Sequence, residues 1–192
     1  LGAPSLDTLS DRLTPLETIG LTSSLWMCQF KDGASPEEWC AAMERDLRRL
    51  IAERHVAEPD PVTNWVEAAA FTNPEITVAA LARQCGCEQR RLERLVRRDF
   101  GIPPKQVLRR ARALDMASHL RGVADLEEAE DLALRYYDQS HLIREFTALF
   151  GMSPRQFVEA PQPLMTLALE TRQVRRLETI ARIAPGGIKP WQ

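Results

Sequence analysis

The segment RRLERLVRRDFGIPPKQV, residues 90–107, has a counterpart fifty residues later in SHLIREFTALFGMSPRQF, residues 140–157. Leu92 answers Leu142, Arg94 answers Arg144, Val96 answers Phe146, Phe100-Gly101 answers Phe150-Gly151, and Pro104 answers Pro154. One offset holds for apolar, charged and punctuating residues alike. That agreement points to two copies of one supersecondary unit.

Spacing says what each copy folds into. Apolar residues between 76 and 158 recur every three or four positions, the mark of amphipathic helices, and Gly and Pro cut them into short pieces. Thr77 can cap a helix over 78–84, Cys85-Gly86-Cys87 makes a turn, and a helix over 88–99 ends at Phe100-Gly101. Pro103 starts a long helix to about residue 120, with Val107, Leu108, Ala111, Leu114, Ala117 and Leu120 on its buried side. Helices over 126–135 and 138–150, the latter capped by Asp138, and a last one from Ser153-Pro154 follow. Upstream, Ser35-Pro36-Glu37-Glu38 is a capping box opening a helix to about Arg54, whose apolar stripe is Trp39, Met43, Leu47 and Leu50 or Ile51. After the break at Glu58-Pro59-Asp60-Pro61, a second helix spans 62–71. No segment reads as a strand. The fold class is therefore all-α: two helix-turn-helix units joined by a long helix, preceded by a small helical region.

The net charge of −2 conceals an asymmetry. Residues 1–74 hold six Lys/Arg against twelve Asp/Glu, whereas residues 83–112 hold ten against three, a concentration suited to a polyanion. No apolar run approaches the roughly 18 residues of a membrane span, and no basic-then-apolar leader precedes the first helix, so no membrane partner and a cytoplasmic location are expected. Cys28, Cys40, Cys85 and Cys87 do not form a disulfide framework at this chain length and are expected as reduced, buried thiols. Cys85 and Cys87 lack neighbours at zinc-like spacing and lack a base to activate either thiol, and His55, His119 and His141 are scattered. Neither a metal, a cofactor nor catalysis is expected.

The second helix of a helix-turn-helix unit lies in the major groove of double-stranded DNA with its first residues facing base edges. Arg90, Glu93, Arg94 and Arg97 fall at i, i+3, i+4 and i+7, opposite Leu92, Leu95 and Val96. Arg can pair with guanine O6 and N7, and Glu can accept from cytosine N4, so that face can specify sequence. Gln139, Ser140, His141 and Arg144 carry the same short-range hydrogen-bonding chemistry at the start of the corresponding helix. Arg91, Arg98, Lys105, Arg109, Arg110, Arg112 and Arg155 are candidates for phosphate. For any one of these helices alone, a plain solvated face is the competing reading, and the repeat shifts the weight towards DNA. Tyr136, Tyr137, Phe146 and Phe157 are read as core, and the acids between Asp125 and Asp131 as a solvated helix.

At these residues the chain resembles the DNA-binding domain of AraC/XylS-type bacterial transcription regulators, over residues 76–157. The match includes LARQCGCEQRRLERLVRRDFGIPPKQVLRRARALDMA and YYDQSHLIREFTALFGMSPRQF. The resemblance implies seven helices and two recognition helices entering successive major grooves. By position it places base reading on Arg90, Glu93 and Arg94 and on Gln139, Ser140, His141 and Arg144. Two departures stand out. Glu88 replaces the usual small hydroxyl cap, and Arg135 occupies the place of the second turn's glycine, as though about two residues before Tyr136 were absent.

The organisation expected is a helical remnant of an N-terminal regulatory domain over 1–58, a linker with a short helix over 59–75, the double helix-turn-helix domain over 76–158, and a helical tail over 159–192. Trp26, Met27, Phe30 and Trp39 form either the core of a small helical subdomain, the preferred reading, or a patch covered by a part preceding Leu1. The resemblance places a small-molecule effector site in that preceding part. The leading function is a non-enzymatic, sequence-specific transcription regulator. The alternative is a protein-interaction module whose acidic N-terminal helices bind a partner such as RNA polymerase, with little preference for DNA sequence.

Overall fold

The computed structural model describes residues 12–19, 27, 33–54, 60–124 and 140–183. After a 3-10 turn at Leu16–Ile19, these form eight α-helices and, among the described residues, no strand: α1 Pro36–Glu53, α2 Pro61–Thr72, α3 Val78–Gln84, α4 Gln89–Phe100, α5 Pro104–Leu120, α6 Ser140–Phe150, α7 Pro154–Glu159 and α8 Pro163–Ile183. The helix expected over 126–135 and the Asp138 cap lie outside the described residues, as do Trp26, Phe30, Tyr136 and Tyr137.

Local chemistry sets most helix ends. Ser35 accepts from the Glu38 amide at 3.2 Å while Glu38 accepts from the Ser35 amide at 2.8 Å, a complete capping box. Thr77 caps α3 and Ser153 caps α7 in the same manner as Ser35 caps α1, each accepting from an amide three residues on. Glu88 makes no side-chain cap bond to α4, as its replacement of a short hydroxyl implies. Gly101, at φ 72°, ends α4 in a left-handed conformation that side-chain-bearing residues rarely adopt.

Two apolar cores share α5. In the first, Val62, Val66 and Ala69 of α2 pack with Leu81 and Ala82 of α3, Leu92, Leu95 and Val96 of α4, and Val107 and Leu108 of α5. In the second, Met116 and Ala117 of α5 pack with Phe146 of α6, Phe157 of α7 and Leu169 of α8. Phe146 and Phe157 meet edge to face at 5.3 Å, with Phe150 tilted against both. At the end of α5, Arg121 donates to the carbonyls of Phe157 and Ala160 and lies over the Phe157 ring at 4.6 Å.

The helix expected within a linker is thus a wall of the first core. The expected tail helix is likewise integral: Asp115 of α5, 3% exposed, meets Arg172 at 2.7 Å and Arg176 at 3.8 Å, and Glu67 of α2 lies within 4 Å of Arg175 and Arg182.

The apolar stripe of α1 departs from expectation. Trp39, Met43, Leu47 and Ile51 are all exposed, and Ala42 and Asp46 are buried instead. The buried line, which continues to half-buried Leu50, is turned from the Trp39, Met43, Leu47 and Ile51 line by one residue, about 100° around the helix, so those four side chains face outward. Met27 is 70% exposed, which removes it and Trp39 from the small core expected there. Cys40 is also exposed and Cys85 and Cys87 are half-buried, all three as free thiols, contrary to the buried state expected.

Candidate nucleic-acid interface

The first unit is α3, the Cys85–Glu88 turn and α4. The turn is closed by amide bonds from Cys85 to Leu81, Gly86 to Arg83 and Cys87 to Ala82, with Gly86 at φ 63°. This holds α4 against α3 through Leu92, Leu95 and Val96 and turns the opposite face to solvent. Arg90, Arg94 and Arg97 are exposed there, and among the described residues no carboxylate pairs with them. Glu93 differs from the expected open face: it is half-buried and accepts from the Gln89 side chain at 3.0 Å.

Of the flanking bases, Arg91 reaches Asp60 at 3.4 Å and Arg98 binds Asp99 at 2.5 and 2.9 Å while both remain over half exposed. Thr63 of α2 donates to Asp99 Oδ2, the oxygen that also accepts from Arg98 Nη2. Hydrogen bonds from Arg98 and then Thr63 hold that carboxyl below the usual range, against partial burial that pushes the other way, and the same contact raises the Arg98 guanidinium. Burial, reinforced by neighbouring Cys87, pushes the Cys85 thiol up and keeps it in the poorly nucleophilic protonated form.

On α6, His141 and Arg144 are exposed. Ser140 is the first residue of the helix, and Gln139 lies outside the described residues. Ile143, 40% exposed, stands where Glu93 stands in the first unit. Both helices pack against α5, whose 17 residues span about 26 Å at ~1.5 Å per residue.

Lys105, Arg109 and Arg155 are exposed and Arg110 is half-exposed. Arg109 and Arg110 border a cleft of about 430 Å³ between α5 and α6, lined also by Gln106, Glu145, Ala148 and Leu149. Arg155 pairs with Glu159 at 2.8 Å. Arg112 is a correction. Its side chain is only 21% exposed, and it donates to both Glu145 oxygens at 3.0 to 3.2 Å and to the Pro74 carbonyl at 3.0 Å. A guanidinium so engaged is an internal tie, not a group presented to phosphate. Glu145, which the reading of the sequence missed, had a visible signal: at the fifty-residue offset it occupies the place of buried Leu95, and a carboxylate in a core position requires partners.

The helix-turn-helix unit of α3 and α4 and the repeat helix α6 on a shared strut, with an arginine face on α4 that no carboxylate pairs with among the described residues, are the features of a DNA-binding domain. Residues 81–160 match the family model of a helix-turn-helix domain, and this segment is an AraC/XylS-type DNA-binding domain. Residues 81–160 thus carry a DNA-binding helix-turn-helix domain of a regulatory type. Comparison with curated proteins and with solved structures returned no match. Among the described residues, no helix is long and apolar enough to cross a membrane and no group of three or more His, Cys, Asp and Glu side chains could hold a metal ion.

Proposed function

We propose that the protein regulates transcription by binding one DNA sequence with two recognition helices, α4 and α6, in successive major grooves. The observation that carries this reading is the exposed Arg90, Arg94 and Arg97 face on α4, with no carboxylate partner among the described residues, repeated in outline by His141 and Arg144 on α6, which packs on the same strut. In it, Arg90, Arg94 and Arg97 read bases in the first groove and Gln139, Ser140, His141 and Arg144 in the second, with Glu93 accepting from cytosine once it exchanges its Gln89 bond. Arg91, Arg98, Lys105, Arg109, Arg110 and Arg155 supply phosphate contacts, which release counterions and make affinity fall steeply with salt.

Selection from a randomised duplex pool tests it. Enrichment of a two-part motif with centres about one helical turn apart is the expected result. Salt-sensitive binding without any motif would overturn the sequence-reading role.

A second reading draws on the exposed Trp39, Met43, Leu47 and Ile51 stripe of α1, an apolar surface beside acidic Glu37, Glu38 and Glu44 that suits a protein partner such as RNA polymerase. The AraC/XylS resemblance adds a small-molecule effector to the same reading.

A further inference from the structure

We infer that Glu145 and Arg112 form a latch that fixes the phase between the two recognition helices and so sets the half-site spacing the protein accepts; this rests on the two-groove reading above.

The two copies of the repeat diverge at one buried position. Leu95 packs into the first core, whereas Glu145, its counterpart, turns its carboxylate towards α5. There Arg109 Nε donates to it at 3.0 Å, Arg112 Nε at 3.2 Å, and Arg112 Nη2 to both oxygens at 3.0 and 3.1 Å. The third nitrogen of Arg112, Nη1, donates at 3.0 Å to the Pro74 carbonyl just before α3, and Nε lies 3.6 Å from Glu75. One guanidinium therefore ties the start of the first unit, the strut and the second recognition helix together.

The chemistry suits orientation more than adhesion. Apolar contacts between α5 and α6 resist separation but permit rotation and sliding, whereas a planar fork on a carboxylate fixes both distance and angle. Coupling through a stiff connection makes two-site binding sharply dependent on the separation of the sites, and a loose one makes it tolerant. The latch supplies the stiffness at the joint nearest α6. Arg112 is thus a positioning residue for DNA recognition, acting through Glu145.

The test measures the full chain on duplexes carrying both half-sites at the selected separation, the same pair with about half a turn (five base pairs) inserted, and each half-site alone. For the unaltered protein the insertion should cost at least about tenfold in affinity, as loss of one half-site would. Glu145→Leu restores the residue type of the first unit and keeps the packing, and Glu145→Gln keeps the shape without the charge. Both should reduce the insertion penalty to under about threefold while leaving binding to the isolated half-site of α4 unchanged. Either variant retaining the full penalty overturns the latch. Absence of a spacing optimum in the unaltered protein would overturn the two-groove reading instead, and the latch with it.

Discussion

Thr63, on the helix that precedes the first repeat, donates its hydroxyl proton to the Asp99 carboxylate at the far end of α4. The bond joins residues 36 apart and, with Val62 and Val66 buried beneath it, makes α2 part of the first helix-turn-helix unit.

A fragment limited to residues 76–158 should therefore lose cooperative thermal unfolding, whereas one spanning 60–183 should keep it. The short fragment loses Val62, Val66 and Ala69 from one core and Leu169 from the other, at about 1.5–3 kcal/mol for each large apolar side chain. That exceeds much of the ~5–15 kcal/mol stability of an ordinary domain. Calorimetry of the two fragments decides it, and equal cooperativity would show that α2 and α8 are appendages.

Asp99 also gives an acid-side signature. Its carboxyl is held below the ordinary range in the folded state, so the unfolded chain takes up protons first as pH falls. The stabilisation is fully present above the unfolded value, about pH 4, and is lost as pH falls through the lower folded value. Asp99→Asn should flatten the decline in stability as pH falls below about 4 and leave its slope between pH 6 and 8 unchanged. Thr63→Val should cost on the order of 1 kcal/mol at neutral pH, measured by urea unfolding.

The repeat, the all-helical class, the capping box at Ser35 and the joining helix were legible in the sequence because each depends on local spacing or on the chemistry of a turn. What was not legible depends on tertiary partners. Trp39, Met43, Leu47 and Ile51 have the periodicity of a buried stripe, but periodicity cannot say which line of a helix finds a neighbour, and here it is Ala42 and Asp46. Arg112 sits in a basic cluster that invites a phosphate role, and only its proximity to Glu145, 33 residues on, redirects it. Glu145 itself was accessible through the repeat register, where it departs from Leu95.

Charge placement also separates pairs that matter from pairs that do not. Asp115 lies 3% exposed between Arg172 and Arg176, so Asp115→Ala removes a buried carboxylate from an ion-paired site and should cost about 3–5 kcal/mol. Glu159→Ala removes the partner of Arg155 from an open surface, 61% and 87% exposed, and should change stability by less than about 0.5 kcal/mol. Denaturant midpoints of the two variants test the contrast, and similar losses would mean that α8 is not anchored through Asp115.

The arginine face of α4 makes the sharpest functional forecast. Arg94 projects from the exposed side of α4 with no carboxylate partner among the described residues, as the proposed paired contact with a guanine edge requires. Arg110 lies on the strut, bordering the α5–α6 cleft. Arg94→Ala should lower affinity for the selected site by about 1–3 kcal/mol and relax base preference at one or two positions, with little effect on random DNA. Arg110→Ala should weaken selected and random duplexes alike and reduce the slope of log affinity against log salt by about one. Titrations of both variants on both duplexes at two salt concentrations distinguish them. Equal losses on selected and random DNA for the two variants would remove Arg94 from base reading and leave the basic surface as an electrostatic platform only.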